Sequence, residues 1–280
     1  GTLAAIGVDV ASNTEDGLFE ALRLCGLGRN STTGYCDIFL RKGAYAWQAA
    51  TIPAQTYVYA VPNTSTTIAN RSTDLPIVDI YGTLDGVNID FNGNAFNAAM
   101  IVMRNNGTAK NLTVTGGQNM AQPAGPAHGG PAIFRTDNST NVLVNAKVNN
   151  FLTRGGVAIT GDMGVFSIAN STKVIYEIST GNYFGNNTAF DIFNGGDIRI
   201  RNSYWENTGD LWLMPSGTKD LYIENNIQYI RAGTRNIFNG TDAIAISSNI
   251  VISGNTFYGD AAGTNFVIDF EGNNAASAPL

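Results

Sequence analysis

Three aspartates have the residue type and the spacing that could do chemistry: Asp162, Asp191 and Asp210. Asp191 interrupts an apolar run over 190–193, where an acid is disfavoured unless its side chain faces solvent. Asp162 follows the strand predicted before that run, and Asp210 precedes the strand predicted after it. Carboxylates on neighbouring strands could approach the ~5 to 9.5 Å separations used in glycoside hydrolysis, with one acid held protonated by its neighbour. We therefore treat the three aspartates as candidate catalytic residues. The alternative is that all three are solvated turn residues, because Thr-Gly-Asp sequences at 160–162 and 208–210 favour turns.

Five other residues could bind a substrate near these acids. Trp212 offers a flat face on which a sugar could stack, or it could pack under a loop. Arg104, Arg135 and Arg235 could bind the carboxylates of an acidic sugar polymer, or they could form surface ion pairs. His128 is the only histidine, and its ordinary pKa suits proton transfer, although a solvent-facing loop histidine is the alternative.

These residues must be positioned by short strands that recur along the chain. A plan of polar, apolar, any, apolar residues is repeated six times, with a weaker seventh copy at 86–89; the six begin at Asn111, Asn141, Lys173, Asp197, Asp220 and Asn249. Alternating apolar positions indicate a strand with one buried face. Recurrence at intervals of roughly 23 to 32 residues predicts a solenoid of about seven coils, in which each repeat buries its apolar face against its neighbours.

We call the strands that carry this repeated plan the organising strands. A second set of strands precedes them or ends the chain, so each coil has at least two strands. The predicted members are 100–104, 132–136, 157–160, 190–193, 211–214, 244–247 and 266–270. The segments 119–131 and 229–242 are long connections, whereas those into Val157, Phe190 and Leu211 are short. If all leave on one side, the long segments would wall a cleft floored by the three middle strands. The phase of 132–136 leaves the direction of Arg135 open.

A third, weaker set places Asn or Gln two residues before an apolar residue: Asn94, Gln118, Asn149, Asn182, Asn202, Asn225 and Asn255. Asparagine tolerates left-handed backbone angles and can bond neighbouring main chain, so this set predicts an inward asparagine ladder at one corner.

The bulk composition limits the class of partner. The chain has 280 residues, 44% hydrophobic and 14% charged, with a net charge of -6. An acidic chain lacks the basic face that nucleic acid binding requires, so we expect no nucleic acid partner. No apolar run is long enough to span a bilayer, so we expect no membrane insertion. No metal-ligand spacing is present, so we expect no metal site and no cofactor, although acidic turns permit calcium.

The first 48 residues are predicted to form a cap and 49–280 the coils of one β-helix domain. Thr14 to Asp16 can cap a short amphipathic helix, and a strand is predicted at 36–40. Cys25 and Cys36 are the only cysteines. We favour two small buried thiols here, with a disulfide in an oxidising compartment as the alternative.

The cap carries a resemblance to a known superfamily. The order Thr14-Glu15-Asp16, a short helix with Phe19, Ala21 and Leu22, and then Ile38-x-Leu40-x-x-Gly43-x-Tyr45 resembles the opening of the pectin-lyase-like superfamily. That superfamily consists of right-handed parallel β-helices, including phage tailspikes, polygalacturonases, polysaccharide lyases and some epimerases. The resemblance covers the cap closely and the rest as a style of repeat, and it implies an all-β, right-handed, single-stranded parallel β-helix.

The known catalytic motifs of that superfamily are missing. Polygalacturonases carry Gly-His-Gly after adjacent aspartates, whereas here Ala127-His128-Gly129 comes too early and no Asp-Asp occurs. The Arg-x-Pro-x-x-Arg of pectate lyases is absent from the sequence. No catalytic residue is therefore carried over from the resemblance.

The leading functional hypothesis is an extracellular polysaccharide-processing enzyme, a glycoside hydrolase or polysaccharide lyase, acting on an extended glycan in a groove along the β-helix. The alternative is a non-catalytic carbohydrate-binding or adhesin module, such as a tailspike-like receptor-binding protein. We expect a secreted or surface-displayed protein that is a monomer or a homotrimer.

Overall fold

A computed structural model describes residues 21–25, 35–47, 50–61, 67–70, 78–90, 100–115, 132–149, 164–180, 188–206, 212–230, 234–239, 248–259 and 265–269. A short helix, α1, occupies 21–25. The described strands are β1 (Cys36–Phe39), β2 (Ala44–Trp47), β3 (Ala50–Ile52), β4 (Thr56–Tyr59), β5 (Thr67–Asn70), β6 (Val78–Ile80), β7 (Thr83–Asp85), β8 (Asn88–Asp90), β9 (Ile101–Met103), β10 (Thr108–Thr115), β11 (Phe134–Asp137), β12 (Thr140–Asn149), β13 (Gly164–Ala169), β14 (Thr172–Thr180), β15 (Thr188–Phe193), β16 (Gly196–Arg201), β17 (Tyr204–Glu206), β18 (Trp212–Ser216), β19 (Lys219–Glu224), β20 (Ile227–Ile230), β21 (Thr234–Asn239), β22 (Ser248–Ser253), β23 (Thr256–Gly259) and β24 (Asn265–Asp269).

These strands stack into two long parallel sheets. The nine-stranded sheet runs from β3 to β24, and the bent sheet has fifteen strands, of which nine follow the path from β1 to β22. The bent sheet turns a corner, so its strands form an upstream and a downstream face, and β10, β12 and β14 cross from one face to the other. Eight successive turns, from β3 to β23, lie within the described residues, one more than predicted. The fold is a parallel β-helix, as predicted. The right hand expected for this β-helix agrees with the general rule that crossovers between parallel strands are right-handed in about 98% of cases.

The core is built from inward rows, in which one residue of each turn lies above its equivalent. Val142, Val174, Ile198 and Leu221 form one such row and are at most 2% exposed. In the nine-stranded sheet, Phe134, Phe166 and Phe190 form another, with ring centroids 6.3 and 5.1 Å apart. Period-two burial of aligned apolar side chains thus supplies a continuous core, as the sequence pattern predicts.

Left-handed residues set the corner between the nine-stranded sheet and the upstream face. They come in pairs three residues apart: Asn138 with Asn141, Asn170 with Lys173, Asn194 with Asp197, and Gly217 with Asp220. Asparagine, aspartate and glycine adopt positive φ most readily, and this explains why every copy of the organising plan except the one at Lys173 opens with one of them.

The copies of the organising plan at Gly86 and Asn111 lie on the downstream face of the bent sheet and not, as had been predicted, in line with the other copies. Leu112 and Val114 pair with Ala146 and Val148, so the copy at Asn111 lies four residues downstream of the copy at Asn141. Gly86 and Asn111 have positive φ where the bent sheet turns from its upstream to its downstream face. The same four-letter pattern therefore marks two different corners, because a left-handed residue before an apolar strand is needed at both.

Two strands of the second set were predicted at the wrong place. The strand between β11 and β15 is Gly164–Ala169, whereas the predicted 157–160 lies outside the described residues. The strand between β18 and β24 is Thr234–Asn239, within the segment expected to be a long connection, and the predicted 244–247 also lies outside the described residues. Short apolar runs of similar composition on both sides of a turn make this choice from sequence ambiguous.

Of the seven predicted ladder positions, Asn255 belongs to an asparagine ladder, Asn202 and Asn225 are each one residue before its inward members Ser203 and Asn226, and Asn94, Gln118 and Asn182 lie outside the described residues. Asn226, which is 2% exposed, accepts from the N–H of Ser203 at 3.0 Å and donates to the carbonyl of Ile200 at 3.0 Å. Asn255 accepts from the N–H of Asn226 at 2.9 Å. The predicted Asn225 is exposed and left-handed instead. A buried asparagine is tolerated here because its amide satisfies main-chain groups that the corner leaves unpaired.

The N-terminal end of the solenoid is closed by α1. Leu22 and Cys25 are each 7% exposed and belong to the core cluster together with Leu40, which follows β1. Cys25 and Cys36 form a disulfide, so the interpretation as two buried thiols is wrong. Among the described residues, no helix is both long enough and apolar enough to cross a bilayer.

Replacing Asn226 by Ala should destabilise the protein by about 2 to 3 kcal/mol, because a buried N–H and a buried carbonyl lose their partners. Urea unfolding followed by far-UV circular dichroism would measure the loss. Asn225→Gly is the matched control: glycine accepts the φ of 55° without strain and should stay within about 0.5 kcal/mol of the natural protein. Equal effects of the two substitutions would contradict the assignment of the ladder.

Candidate functional site

A polar groove of about 380 Å³ runs along the outside of the bent sheet. It is lined by Asn88, Asn111, Leu112, Thr113, Asn145, Ala146, Lys147, Glu177, Ser179 and Asn202. These residues come from β8, β10, β12 and β14 and from the residue after β16, so the groove crosses five successive turns. Its length along the helix axis suits an elongated ligand better than a compact one.

The groove is concave because it follows the corner of the bent sheet. One of its sides is the outward row of the downstream face, in which Asn88, Thr113, Lys147 and Ser179 are paired rung by rung. The other side is the corner row, in which Asn145 pairs with Glu177. Successive rungs are about 4.8 Å apart, so each row presents a polar side chain at a regular interval.

A chain of hydrogen bonds, all between side chains except one from a backbone N–H, connects six successive turns along the corner. We call it the side-chain ladder, and its members are Tyr57, Asp85, Asn111, Asn145, Glu177 and Arg201. The hydroxyl of Tyr57 and the amide of Asn111 both donate to Asp85, the second at 2.8 Å. The backbone N–H of Asn111 donates to Asn145 at 3.3 Å, and the Asn145 amide donates to Glu177 at 3.1 Å. At the last position of the ladder, Arg201 Nε donates a hydrogen bond to Glu177 at 2.9 Å.

The two carboxylates of the ladder are held in the ionised form. Burial by itself would raise the pKa of Glu177, but hydrogen bonds from Asn145, Arg201 and Asn202 outweigh it and lower the pKa. Burial likewise opposes ionisation of Asp85, and hydrogen bonds from Tyr57, Asn111 and Lys110 lower its pKa. A general acid near neutral pH needs a raised pKa. Neither carboxylate therefore suits that role.

Tyr57 and Lys110 are likewise held in their protonated forms. The hydrogen bond to Asp85 raises the pKa of the Tyr57 hydroxyl and also the pKa of the Lys110 ammonium, whose Nζ lies 3.2 Å from Asp85. A group whose pKa is raised above 10 does not serve as a base at neutral pH. The ladder can therefore donate and accept hydrogen bonds but is poorly suited to transferring protons.

Lys147 is the cation that the groove leaves for a ligand. Its side chain is exposed, and it makes no ion pair or hydrogen bond with any part of the chain that the structure describes. Glu177 and Asp85 are already paired with Arg201 and Lys110. Lys147 therefore places three unused donor hydrogens in the groove.

An aromatic cluster lies on the same outward face, toward the N-terminal end of the groove. The rings of Tyr57 and Tyr59 stack with centroids 4.8 Å apart, and Phe39 lies 5.3 Å from Tyr59. Phe39 is 49% exposed, and Tyr59 pairs with Asp85 in the next turn. Tyr57 and Tyr59 are half-buried, so the exposed ring of Phe39 is the member of the cluster on which the apolar face of a sugar ring can stack.

The predicted catalytic aspartates lie largely beyond what the structure describes. Asp162, Asp210 and His128 fall outside the described residues. Asp191 is on β15, where its backbone pairs with Ser167 and Leu213. Its inward neighbours Phe190 and Ile192 are at most 1% exposed, so its position belongs to the outward row. Ser167, the neighbouring member of that row, is 2% exposed, and the cleft over this sheet stays a prediction. The catalytic roles stay predictions.

Two of the predicted binding arginines are paired within the protein. Arg104 Nε lies 2.9 Å from Asp79, and an Arg135 guanidinium nitrogen lies 2.9 Å from Asp137. Phe134 and Thr136 are fully buried, so the open question of the phase of Arg135 is resolved in favour of the outward face. Arg135 and Asp191 belong to the same outward row, two turns apart, with Ser167 between them. Arg104 lies at the corner after β9.

Register separates Trp212 from the row of Asp191. Its backbone pairs with Phe190, in the row whose other described members, Phe134 and Phe166, are also buried. The pairing of its backbone therefore does not support the predicted stacking role of Trp212, which would need a position in an outward row. Arg235 lies on β21, where it pairs with Phe266, and its binding role remains a prediction. Among the described residues, no three His, Cys, Asp or Glu side chains come together to hold a metal, and calcium binding is untested.

Of the residues that line the groove, the sequence patterns named Asn111 and Asn202 but gave them no binding role. The remaining members were missed because the copy at Asn111 had been aligned four residues out of register. Aligning Asn111 with Asn145 by their distances from the following strands would have brought the polar row together.

Stability should fall in acid partly because of the ladder. A lowered pKa means that the stabilisation is present above the ordinary pKa of about 4.3 and is lost as pH falls through the folded value. Glu177→Gln should be less stable near neutral pH and should lose less stability than the natural protein between about pH 7 and pH 3. Urea midpoints across this range measure the effect. Glu224→Gln is the control, since Glu224 has a longer 3.9 Å contact with Arg199, and a slope change as large as that of Glu177→Gln would contradict the assignment.

Comparison with known proteins gives no family for this chain. No protein family and no curated protein sequence matches it. Three solved structures are similar to it: a candidate glycosyl hydrolase from Parabacteroides merdae (TM-score 0.45, 11% identity, 77% of this chain and 88% of the other), the surface adhesin PfbA of Streptococcus pneumoniae (0.43, 13%, 88% and 75%), and the A-module of the Azotobacter vinelandii mannuronan C-5 epimerase AlgE6 (0.43, 11%, 90% and 85%). At these scores and identities the likenesses carry no argument about activity, and the fold rests on the strand pairing described above.

Proposed function

We propose that this chain is a carbohydrate-binding β-helix that holds an extended glycan along the polar groove, without cleaving it there. The observation that carries the proposal is the groove itself: polar side chains repeat along five turns, and an aromatic cluster with exposed Phe39 and half-buried Tyr57 and Tyr59 lies on the same face. A polymer with hydroxyl groups at regular intervals would meet a donor or an acceptor on each rung.

The electrostatics of the groove favour binding over cleavage at this place. Hydrolysis of a glycoside requires one carboxylic acid that can donate a proton. The ladder carboxylates have lowered pKa values and bonded oxygens, so they serve as fixed acceptors. Preformed and mutually bonded side chains also lose little entropy when a ligand binds, which increases affinity.

The location that we propose is extracellular or on a cell surface. The Cys25–Cys36 disulfide supports it, because such bonds persist in oxidising compartments. A glycan partner also fits an acidic chain, since neutral hydroxyl groups are bound without a basic surface.

A polysaccharide-processing enzyme is the second candidate. The outward register of Asp191 on the nine-stranded sheet supports it, because an acid at that position has no packing role in the core. In this proposal Asp162, Asp191 and Asp210 act together on a chain bound across that sheet.

Lys147→Ala should weaken glycan binding roughly tenfold or more, because hydrogen bonds from a charged donor contribute about 1.5 to 3 kcal/mol. A glycan panel would first identify a bound polysaccharide, and affinity electrophoresis would then compare the variants. The matched control is Lys219→Ala, an exposed lysine on the same sheet but outside the groove lining, which should bind like the natural protein. Equal weakening by both substitutions, or no binding of any glycan by the natural protein, would overturn the proposal.

The enzyme candidate predicts new reducing ends or unsaturated uronates when the natural protein is incubated with the same glycan panel. Asp191→Asn should abolish this turnover, since an amide can neither donate the proton nor attack as a carboxylate. Asp220→Asn should retain it, because asparagine suits the left-handed backbone there. Absence of products with the natural protein would reject catalysis and leave the binding proposal standing.

A further inference from the structure

Exposed apolar side chains form two groups, one on each side of the polar groove along the solenoid. Among the described residues, the large apolar side chains that are exposed are Tyr35, Phe39, Val61, Tyr81, Ile227 and Tyr258. The first four lie in or beside β1, β4 and β6, on the N-terminal side of the groove. Ile227 and Tyr258 lie on β20 and β23, on its C-terminal side. This second group is outside the groove lining and needs an explanation of its own.

Register places the second group in line with the groove. Lys147 pairs with Ser179, Ser179 with Tyr204, and Tyr204 with Ile227. The outward row that lines one side of the groove therefore continues beyond it without a break. From Lys147 to Ile227 the row rises by three rungs, which is about 14 Å at about 4.8 Å per rung. A polymer that lies along the groove is thus led over Tyr204 and Ile227.

The chemistry of the row changes where the groove ends. Ile227 is 41% exposed and follows half-buried Tyr204. Two residues further along the same strand, half-buried Tyr229 pairs with Tyr258, which is 44% exposed, and their ring centroids are 4.9 Å apart. We call these four residues the tyrosine face. None of the four side chains carries a charge, and the tyrosines combine an apolar ring with a polar edge.

We propose that the tyrosine face is a stacking subsite for sugar rings, which continues the polar groove and selects a flat, extended glycan such as a β-1,4-linked glucan. This inference rests on the proposed function, because it concerns the same bound chain. Pyranose rings with equatorial hydroxyl groups expose C–H groups on their flat faces and hydroxyl groups at their edges. The flat faces can pack on aromatic and aliphatic side chains, while the edges meet the donors and acceptors of the groove.

The geometry and charge of the tyrosine face favour this class of glycan over two others. The row from Lys147 to Ile227 keeps one register, so it is straight, and an α-1,4-linked glucan coils away from a straight row. A carboxylate on an acidic sugar would find no cation among the four side chains, so it would gain no charge-assisted hydrogen bond from them. A neutral ribbon requires neither curvature nor a cation.

Titration calorimetry with cellohexaose and maltohexaose tests the proposal. The natural protein should bind cellohexaose more tightly than maltohexaose. Tyr258→Ala should weaken cellohexaose binding about three- to tenfold, because it removes the exposed ring, whereas Tyr258→Phe should retain the binding. The matched control is Tyr222→Ala, since half-buried Tyr222 lies on the upstream face with its ring 4.3 Å from the Arg199 guanidinium, and this variant should bind like the natural protein.

The outcomes separate the subsite from the proposed function. Cellohexaose binding that Lys147→Ala weakens but Tyr258→Ala leaves unchanged would overturn the subsite and leave the groove as the binding site. Binding of another glycan but not of cellohexaose would also overturn this inference, while the proposed function would stand. Equal effects of Tyr258→Ala and Tyr222→Ala would likewise overturn it.

Nitration of tyrosines by tetranitromethane, mapped by peptide mass spectrometry, gives a test that depends on no substitution. Cellohexaose should slow the nitration of Tyr258 and leave that of Tyr222 unchanged, and maltohexaose should protect neither residue. Nitration of Tyr258 at an unchanged rate under saturating cellohexaose would overturn the subsite, even where the glycan binds in the groove.

Discussion

Parallel hydrogen bonding between successive turns, kept in constant register, is the interaction on which the rest of the structure depends. A residue is brought beside its equivalent about 4.8 Å away, so every property of the sequence that repeats becomes a row along the molecule. Val142, Val174, Ile198 and Leu221 become a core row in this way. The register is maintained at the corners, where pairs of left-handed residues turn the chain by the same amount in turn after turn. Asparagine, aspartate and glycine are frequent there because they accept positive φ at the least cost.

The same register makes the interior of each turn depend on its neighbours. A side chain such as Trp205 is completely buried only because turns lie on both sides of it. Polar groups at the corners follow the same logic, since Asn226 satisfies main-chain groups of the preceding turn and is itself satisfied by the next. A turn at an end lacks one of these neighbours, and the molecule solves this at its N-terminal end with a helix and a disulfide.

On the outside, register converts scattered polar residues into one connected surface. The side-chain ladder joins residues that are 24 to 34 positions apart in sequence. Hydrogen bonds from neighbouring donors keep both of its carboxylates ionised. A site arranged in this way has fixed hydrogen-bonding groups and little capacity for proton transfer. Lys147 is the exception in the groove, because its charge is not used by the described part of the protein. These properties distinguish a surface for holding a polymer from a surface for cleaving one.

The sequence by itself determined the architecture, because alternating apolar positions after a polar residue leave few ways to bury one face of many short strands. It also determined that asparagines would be needed at a corner, and most strands of both sheets were predicted near their observed positions. Tertiary structure alone decided the register at Asn111, the identity of the strands at 164–169 and 234–239, and the bond between Cys25 and Cys36. The physical reason is that a local pattern specifies which face of a strand is buried, whereas its alignment with the next turn depends on corner geometry and on loop length. The groove followed from that alignment, since a shift of four residues separates Asn111 from Asn145 and a correct alignment makes them neighbours.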